Sequence, residues 1–232
     1  MTSPKSHPAS PTPAPALTAP VEDYLKVIFE LESVGGAAST NEIAAELGIA
    51  AASVSGMVRR LAEQGLIAHQ PYRGVRLTTA GRRAALRTIR RHRVIEAYLT
   101  TALNYPWDRV HEEAERLEHA ASDELIDRMA EAIGEPATDP HGAPIPARDG
   151  TLSERELSAL DDVEVGACVS VQRVGDRDAG QLRYLAEIGI VPGRRLEVLA
   201  RAPFGGPISL RVGKSVRSIG PALAKQILVA AV

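Results

Sequence analysis

The sequence predicts a mainly helical protein with a smaller β-rich domain at its C-terminal end. In most of the stretch from Val21 to Gly134, apolar residues recur with the 3.6-residue period of amphipathic helices. After Asp161 they recur in short runs that are typical of strands. Between these regions, Glu135 to Gly150 contains four prolines and two glycines, which favours a linker.

The composition limits the classes of protein to consider. A chain of 232 residues with 44% hydrophobic and 24% charged residues is typical of a globular protein with one or two domains. Its single cysteine, Cys168, excludes internal disulfides and cysteine-based zinc sites and suits a cytoplasmic protein. No apolar run approaches the roughly 18 residues of a membrane helix, so we expect no membrane partner. Residues 1–20 contain six prolines and no apolar signal sequence, which predicts a disordered tail.

Residues 21–80 are predicted to form three helices followed by a two-stranded hairpin. Glycines follow each helical pattern, and Ser39-Thr40-Asn41-Glu42 is typical of a helix start. The helices are predicted at residues 21–33, 39–47 and 52–64, and the strands at residues 66–68 and 75–77, joined by a turn at residues 72–74.

This order of elements is that of a winged helix-turn-helix, a DNA-binding motif. The exposed face of the third helix combines small residues with arginines, which permits close approach to base edges and contact with phosphates. A purely structural helical unit is the alternative. The predicted DNA-contacting residues are Thr40, Ser53, Ser55, Gly56, Arg59, Arg60 and, on the wing, Arg73.

Charge is distributed in two adjacent blocks of opposite sign. Residues 53–93 contain ten arginines, no lysine and one acid, whereas residues 94–135 contain eleven acids and three arginines. A solvated helix face would explain either block alone. Together they favour a basic surface for phosphates and an acidic region for cations.

Three further helices are predicted at residues 79–103, 107–120 and 122–134, and the first two carry candidate metal ligands. On the first, His92 and Glu96 are one turn apart and share a face. Asp23, far earlier in the chain, could supply another oxygen. On the second, an arc of about 100° holds His111, Glu115, Glu118 and His119.

Burying so many titratable groups without a cation would be costly, which favours a metal site over a solvated helix face. Mixed imidazole and carboxylate ligands suit Mn²⁺, Fe²⁺, Co²⁺ or Zn²⁺, and carboxylate-rich sets favour the harder ions. A metalloenzyme is the competing hypothesis, because di-iron helical bundles use similar ligands. The unequal motifs on the two helices and the lack of a partnered nucleophile argue against an enzyme and against a small organic substrate.

The C-terminal region, residues 160–232, is predicted to be a small β domain. Short apolar runs alternate there with turn residues, and a single helical pattern interrupts them. The strands are predicted at residues 167–174, 195–199, 208–212 and 224–229, and the helix at residues 180–187.

With these features the chain resembles the diphtheria toxin repressor family of metal-dependent transcriptional repressors, and in particular its manganese-responsive members. The resemblance covers residues 21–232. The matching stretches are VEDYLK (21–26), RHR (91–93), HEEAERLEH (111–119), DPHG (139–142) and IP (145–146). The resemblance implies a winged helix-turn-helix at residues 21–80, a helical metal-binding and dimerisation domain with a linker at 81–150, and an SH3-like β-barrel at 160–232.

The resemblance also implies two metal sites. The regulatory site would use Asp23, Glu115, Glu118 and His119. The ancillary site would use His92, Glu96 and His111, completed by Asp178 and Gln181 of the SH3-like domain. Iron-responsive relatives carry Met and Cys at the positions of Asp23 and Glu115, so two hard carboxylates there favour manganese. Lys26 departs from some manganese-responsive relatives, which have an acid at its position.

The function implied by the resemblance is metal-dependent repression. We expect a homodimer that binds double-stranded operator DNA when Mn²⁺ is bound and controls metal-ion homeostasis through genes such as those for manganese uptake. Fe²⁺ is the alternative metal, and Co²⁺ or Zn²⁺ could substitute. Bound metal would restrict the spacing of the two DNA-binding heads and so shift the population toward a form that fits DNA.

Overall fold

The computed structural model describes residues 17–70, 74–153 and 155–232. These residues form two compact units, which are divided along the chain between Thr78 and Thr79. In this part of the chain, no helix has both the length and the apolar character needed to cross a lipid bilayer.

The first unit contains three helices and a two-stranded antiparallel hairpin, as the sequence predicts. Its elements are α1 (Ala19–Gly35), α2 (Thr40–Leu47), α3 (Ala51–Glu63), β1 (Ile67–Gln70) and β2 (Gly74–Leu77). The core is apolar and includes the fully buried Leu25, Ile43 and Val54. The predicted turn residues Tyr72 and Arg73 lie outside the described residues.

Local chemistry explains where α2 begins and ends. The Ser39 hydroxyl accepts the Glu42 N–H at 3.2 Å, and the Glu42 carboxylate accepts the Ser39 N–H at 2.8 Å. This reciprocal pair satisfies two N–H groups that the first helical turn leaves without partners. Gly48 ends the helix in the left-handed conformation, with a φ of 65°.

The hairpin is fastened to the segment that follows α1. Val75 and Ala38 exchange two backbone hydrogen bonds, of 2.8 and 3.0 Å. The Glu32 carboxylate of α1 accepts the Leu77 N–H at 2.8 Å. Gly74 has a φ of 85°, and a Cβ there would lie 2.9 Å from the Ala38 carbonyl oxygen, so this close approach requires glycine.

The second unit begins with α4 (Thr79–Leu103), α5 (Val110–Leu117) and α6 (Asp123–Ala132). The bounds of α4 are those predicted, and Ser122 caps α6 by accepting the N–H of Leu125 at 3.2 Å. The prediction of a helix over 107–120 is too long at both ends. At its start, the Pro106 carbonyl accepts the Arg109 N–H at 3.0 Å, which closes a turn before α5 begins.

The segment predicted as a linker, residues 135–150, packs against α4. Arg90 and Arg93 donate hydrogen bonds to the carbonyl oxygens of Pro146 at 2.9 Å and Pro144 at 2.5 Å. Its four prolines do predict the lack of helix and strand. Its burial depends on these bonds to residues about fifty positions earlier, which composition does not encode.

The remainder of the second unit is a six-stranded antiparallel sheet with the order β3-β8-β4-β5-β6-β7. Its strands are β3 (Ser158–Ala159), β4 (Cys168–Val174), β5 (Arg195–Arg201), β6 (Ile208–Val212), β7 (Ser215–Ile219) and β8 (Ile227–Ala231). The sheet is accompanied by α7 (Ala179–Ile188) and the short α8 (Pro221–Ala224). Leu182 of α7 and Ala224 of α8 belong to the same buried cluster as Val171 and Val198 of the sheet.

The prediction of a barrel is wrong, because the sheet is open. Among the described residues, β3 and β7 each pair with a single neighbour and form the two edges. The sequence analysis missed both edge strands, since β3 has two residues and β7 exposes four of its five, so neither shows a buried stripe. The predicted strand from Ala224 begins three residues later, at Ile227, because Pro221 starts a helical turn.

Candidate metal centre

The metal centre is built around His92 and Glu96 of α4. His92 Nε2 lies 3.0 Å from Glu96 Oε1, and His92 Nδ1 lies 2.5 Å from Glu118 Oε2. All three side chains are buried, with the carboxylates of Glu96 and Glu118 fully so. His92 therefore joins two carboxylates that have no access to solvent.

His111 and Glu115 of α5 lie beside this pair. His111 Nδ1 is 3.1 Å from His92 Nε2 and 3.2 Å from Glu96 Oε1, and its Nε2 is 3.8 Å from Glu115 Oε1. The ligand atoms of His92, His111 and Glu115 all lie within 4.8 Å of one another. The structure thus brings together the imidazoles and carboxylates that the sequence places on two helices.

Glu118 and His119 lie where α5 ends. Glu118 caps the helix in helical conformation, whereas His119 lies in the turn that follows. The arc expected for an ideal helix therefore does not extend to His119. Its Nε2 is nevertheless only 3.4 Å from Glu118 Oε1, so the turn keeps the imidazole next to the buried carboxylate.

A group that the sequence analysis did not identify lies on the loop after α6. Glu96, Asp139 and His141 are all buried and offer ligand atoms within 4.8 Å of one another. Among the described residues, Glu96 Oε2, Asp139 Oδ2 and His141 Nδ1 have no hydrogen-bond partner. Asp139 Oδ2 faces the Arg93 guanidinium at 3.7 Å. Because buried polar atoms are costly to leave unpaired, the remaining two, Glu96 Oε2 and His141 Nδ1, fit a bound cation.

Hydrogen bonds hold Asp139 and His141 in place. Asp139 Oδ1 accepts the N–H groups of His141 and Ala143, both at 2.9 Å. His141 Nε2 donates to the Trp107 carbonyl oxygen at 2.7 Å, and its ring stacks on the Trp107 indole. Because a carbonyl only accepts, the proton is on Nε2, which leaves the Nδ1 lone pair available to a metal.

Asp176, between β4 and α7, extends this group. Its carboxylate offers an oxygen within 4.8 Å of ligand atoms of Glu96 and His111, so the β domain contributes to the same centre. Asp178, which the sequence analysis selected instead, has another contact: its Oδ1 caps α7 by accepting the N–H groups of Gly180 at 2.7 Å and Gln181 at 3.0 Å. Gln181 lies in the first turn of that helix.

In the metal centre, burial and the contacts between carboxylates and imidazoles shift the pKa values of several groups. Burial by itself would raise the pKa of Glu96, but hydrogen bonds from His111 and His92 outweigh it and hold that pKa below its usual range. Burial, together with the Glu96 charge, raises the pKa of Asp139 to about 6. Burial would lower the pKa of His111, yet its bond to Glu96 raises it. The lowered pKa of Glu96 and the raised pKa of His111 both favour an imidazolium–carboxylate pair, and a divalent cation would take over that balance of charge.

Asp23 is the predicted ligand that belongs to the first unit. It lies on α1 and is half-buried. Its role as a ligand rests on the family resemblance.

The predicted DNA-contacting residues of α3 share its exposed side. Buried Val54, Val58 and Leu61 occupy the other side, and a Cβ at Gly56 would meet no atom within 4 Å. Ala50 provides no side-chain cap for α3, which suits contact of its first N–H groups with phosphates. Thr40 is the first residue of α2, and Arg73 lies outside the described residues. The exposed residues of α3 are Ser53, Ser55, Gly56, Arg59 and Arg60.

Three family models match the chain in order. The iron dependent repressor N-terminal DNA binding domain matches residues 16–75. The iron dependent repressor metal binding and dimerisation domain matches residues 78–147, and the FeoA domain matches residues 159–231.

Similar proteins include repressors from two genera. The iron-dependent repressor IdeR of Mycobacterium leprae is 32% identical over 205 residues, which cover 83% of this chain and 88% of that protein. The diphtheria toxin repressor of Corynebacterium efficiens is 36% identical over 189 residues, covering 77% and 82%.

Solved structures give the same result. A manganese-dependent transcriptional repressor in complex with manganese is 42% identical, with a TM-score of 0.87 over 91% of this chain and 100% of that one. The crystal structure of T. acidophilum IdeR is 29% identical, with a TM-score of 0.77 over 94% of this chain and 100% of that one. These proteins are DNA-binding repressors and not enzymes, which answers the metalloenzyme alternative. The chain therefore belongs to the iron-dependent repressor family, which includes the diphtheria toxin repressor, and is a metal-dependent transcriptional repressor.

Proposed function

We propose that this chain is a Mn²⁺-activated repressor that binds palindromic operator DNA as a homodimer and controls genes of metal-ion homeostasis, with manganese uptake as the first candidate. The observation that carries this proposal is the chemistry of the centre in the second unit. Its grouped side chains offer only imidazole nitrogens and carboxylate oxygens, without cysteine. Carboxylate-rich sites of this kind favour the harder divalent ions.

The relatives support a metal-dependent repressor but carry two metals in their names. IdeR of Mycobacterium leprae is called iron-dependent, whereas a similar solved structure is of a manganese-dependent repressor with manganese bound. Our choice of manganese rests on the ligands of this chain. Soft sulfur ligands at the positions of Asp23 and Glu115 would bind Mn²⁺ poorly. The hard carboxylates that this chain has there suit Mn²⁺ and therefore favour manganese.

We assign two sites. The regulatory ion would be held by Asp23, Glu115, Glu118 and His119, as the resemblance implies. The ancillary ion would be held by Glu96, whose ligand atom lies within 4.8 Å of two further pairs, Asp139 with His141 and His111 with Asp176. Two of the atoms involved, Glu96 Oε2 and His141 Nδ1, are buried without a hydrogen bond. In this assignment His92 lies beside the ancillary ligands, with its Nε2 3.0 Å from Glu96 Oε1, and Asp178 caps α7.

The metal supplies positive charge and a fixed coordination geometry. Neutralising the carboxylates of the 94–135 block would reduce their repulsion of DNA phosphates. A ligand from the first unit, Asp23, would give bound metal control over the orientation of α3. The bound metal ion shifts the population toward the DNA-binding conformation only by the difference between its affinity for that conformation and its affinity for the inactive one.

Anaerobic fluorescence anisotropy of a labelled operator duplex tests the proposal. Candidate operators come from the promoters of manganese-transport genes and of the repressor's own gene. We expect tight binding with Mn²⁺, weaker activation by Fe²⁺ at equal free concentration, and little binding with a chelator. Equal binding with and without metal would contradict metal sensing, and activation by Fe²⁺ alone would assign the chain to iron.

A double substitution separates the choice of metal from metal dependence itself. Asp23→Met with Glu115→Cys should shift activation from Mn²⁺ toward Fe²⁺, since sulfur ligands favour the softer ion. Asp178→Ala is the matched control, because it also removes a carboxylate but one that caps α7. An unchanged metal preference in the double variant would refute the role given to Asp23 and Glu115.

A further inference from the structure

The β domain carries an excess of positive charge in its C-terminal part. Residues 179–232 contain eight lysines and arginines but two acids, Glu187 and Glu197. The chain as a whole has a formal net charge of −2, so this concentration is not a general property of the sequence. None of these cations belongs to the metal centre or to the predicted DNA-contacting set.

Three of the cations, Arg194, Arg195 and Lys214, lie close together at one corner of the sheet. Arg194 and Arg195 line an open depression with Gly193 and Gly213, and Lys214 follows Gly213 in the turn between β6 and β7. All three side chains are exposed. We call these three residues the basic corner.

The basic corner lacks the acidic partners that four other cations of the domain, Arg183, Arg201, Arg211 and Lys225, have. Among the described residues, no carboxylate pairs with Arg194, Arg195 or Lys214, and Arg194 donates only to the Gly189 carbonyl oxygen, at 3.1 Å. Arg183 and Arg211, by contrast, pair with Asp108 at 3.1 Å and Glu197 at 2.8 Å. The charge of the corner is therefore available to an external anion.

The backbone around the corner is shaped for close approach. Gly193 and Gly213 have φ values of 83° and 59°, and a Cβ at either position would meet nothing within 4 Å. Two bare turns flanked by three cations leave room for phosphate oxygens near the chain. The depression is open and shallow, which fits an extended polyanion better than an enclosed small molecule.

We propose that the basic corner is a second, sequence-independent contact with the phosphate backbone of duplex DNA, in addition to α3. The chain is a DNA-binding repressor by family, so a polymer with regularly spaced phosphates is its established partner. Two guanidinium groups and an ammonium can each engage a phosphate and release its counterion. The inference goes beyond the operator-reading role and is independent of which metal activates the repressor.

Salt dependence of DNA binding tests the proposal. We compare the full chain with Arg195→Gln plus Lys214→Gln, at saturating Mn²⁺, on an operator duplex with long flanks. Removing two phosphate contacts should make the slope of log K against log salt shallower by about 1 to 2 and lower affinity roughly tenfold at about 0.1 M salt. Arg194 is left intact because its bond to Gly189 holds the turn.

The control variant, Arg183→Gln plus Lys225→Gln, removes the same charge from exposed cations near acids. It should leave the slope close to that of the parent chain. An equal change in both variants would overturn the proposal, since it would reflect net charge. An unchanged slope in the corner variant would also overturn the proposal. If the oligomeric state of that variant changed as well, the corner would be assigned to a protein partner.

Both variants should retain activation of operator binding by Mn²⁺. A parent chain that Mn²⁺ does not activate would contradict the proposed function. An altered salt slope in a variant that Mn²⁺ still activates concerns the basic corner alone. Thermal unfolding confirms that each variant is folded.

Discussion

The exposed side of α3 and the buried groups around Glu96 present their functional residues in opposite ways. On α3 all five candidate residues come from one stretch of eight positions, and each is exposed. Around Glu96 the side chains come from α4, from the loop after α6 and from the loop before α7, and Glu96, Asp139 and His141 are buried. The first surface depends on one helix, whereas the second depends on the packing of three distant segments.

The difference has an energetic consequence. A substitution on the exposed face of α3 removes contacts with DNA but leaves the core unchanged, and such changes usually alter stability by less than about 0.5 kcal/mol. A substitution in the buried groups changes metal affinity and the packing that holds the segments together. The variants below separate these two kinds of effect.

Gly142→Ala should have the largest effect. A Cβ at this position would lie 1.9 Å from the Gln172 carbonyl oxygen, and its φ is 91°. We expect a loss of about 3 kcal/mol or more in the free energy of unfolding, because the loop carrying Asp139 and His141 must leave β4. Urea denaturation measures it. Gly134→Ala, at a φ of 81° in open space, is the control and should cost only about 1 kcal/mol.

Glu96→Gln removes a carboxylate that belongs to two clusters of candidate ligands, one with Asp139 and His141 and the other with His111 and Asp176. The amide keeps the shape of the side chain but loses the charge that binds a cation. We expect Mn²⁺ affinity at the ancillary site to fall by about 100-fold or more, beyond the 10- to 100-fold that loss of an outer-shell partner costs. Isothermal titration calorimetry measures it, and unchanged affinity and stoichiometry would exclude Glu96 as a ligand.

A pair of neighbouring substitutions distinguishes a ligand from a helix cap. Asp176→Ala should weaken the ancillary site by about 10- to 100-fold with little change in stability. Asp178→Ala should leave metal affinity unchanged and cost about 1 kcal/mol of stability, because α7 loses its cap. The reverse pattern, measured by titration and by urea denaturation, would return Asp178 to the metal site.

Arg60→Ala should have the smallest effect and should concern DNA alone. Loss of one phosphate contact is expected to lower operator affinity by up to about tenfold and to make the salt slope shallower by about 0.9. Metal affinity and the unfolding midpoint should not change. Buried Leu61 is one residue away, so a variant with altered stability would show that the two sides of α3 are not independent.

Local patterns made much of this molecule predictable. The bounds of α4 follow from its apolar period, and the start of α2 follows from the Ser39–Glu42 pair. His92, Glu96, His111 and Glu115 could be grouped because two helices each place them one turn apart.

The residues that were missed depend on contacts between distant segments. Asp139 and His141 lie in a proline-rich loop without periodicity, and their burial is set by Arg93, Pro144 and β4. The Asp-Pro-His-Gly sequence was a usable signal, since it places an acid and an imidazole two residues apart. Asp176, which we propose as a ligand, lies two positions before the predicted Asp178, and the sequence does not show which acid of the loop caps α7. The closure of the sheet was predicted wrongly for the same reason, as edge pairing is a long-range property.

The position of Trp107 allows cation binding near His141 to be followed by intrinsic fluorescence. It is the single tryptophan of the chain, and its indole stacks on the His141 imidazole with ring centroids 5.6 Å apart. The emission of an indole responds to charge on a stacked ring, so cation binding at His141 would change the intrinsic fluorescence of the protein. No other tryptophan contributes background. Occupancy of this site could therefore be followed in an unlabelled sample, separately from events at α3.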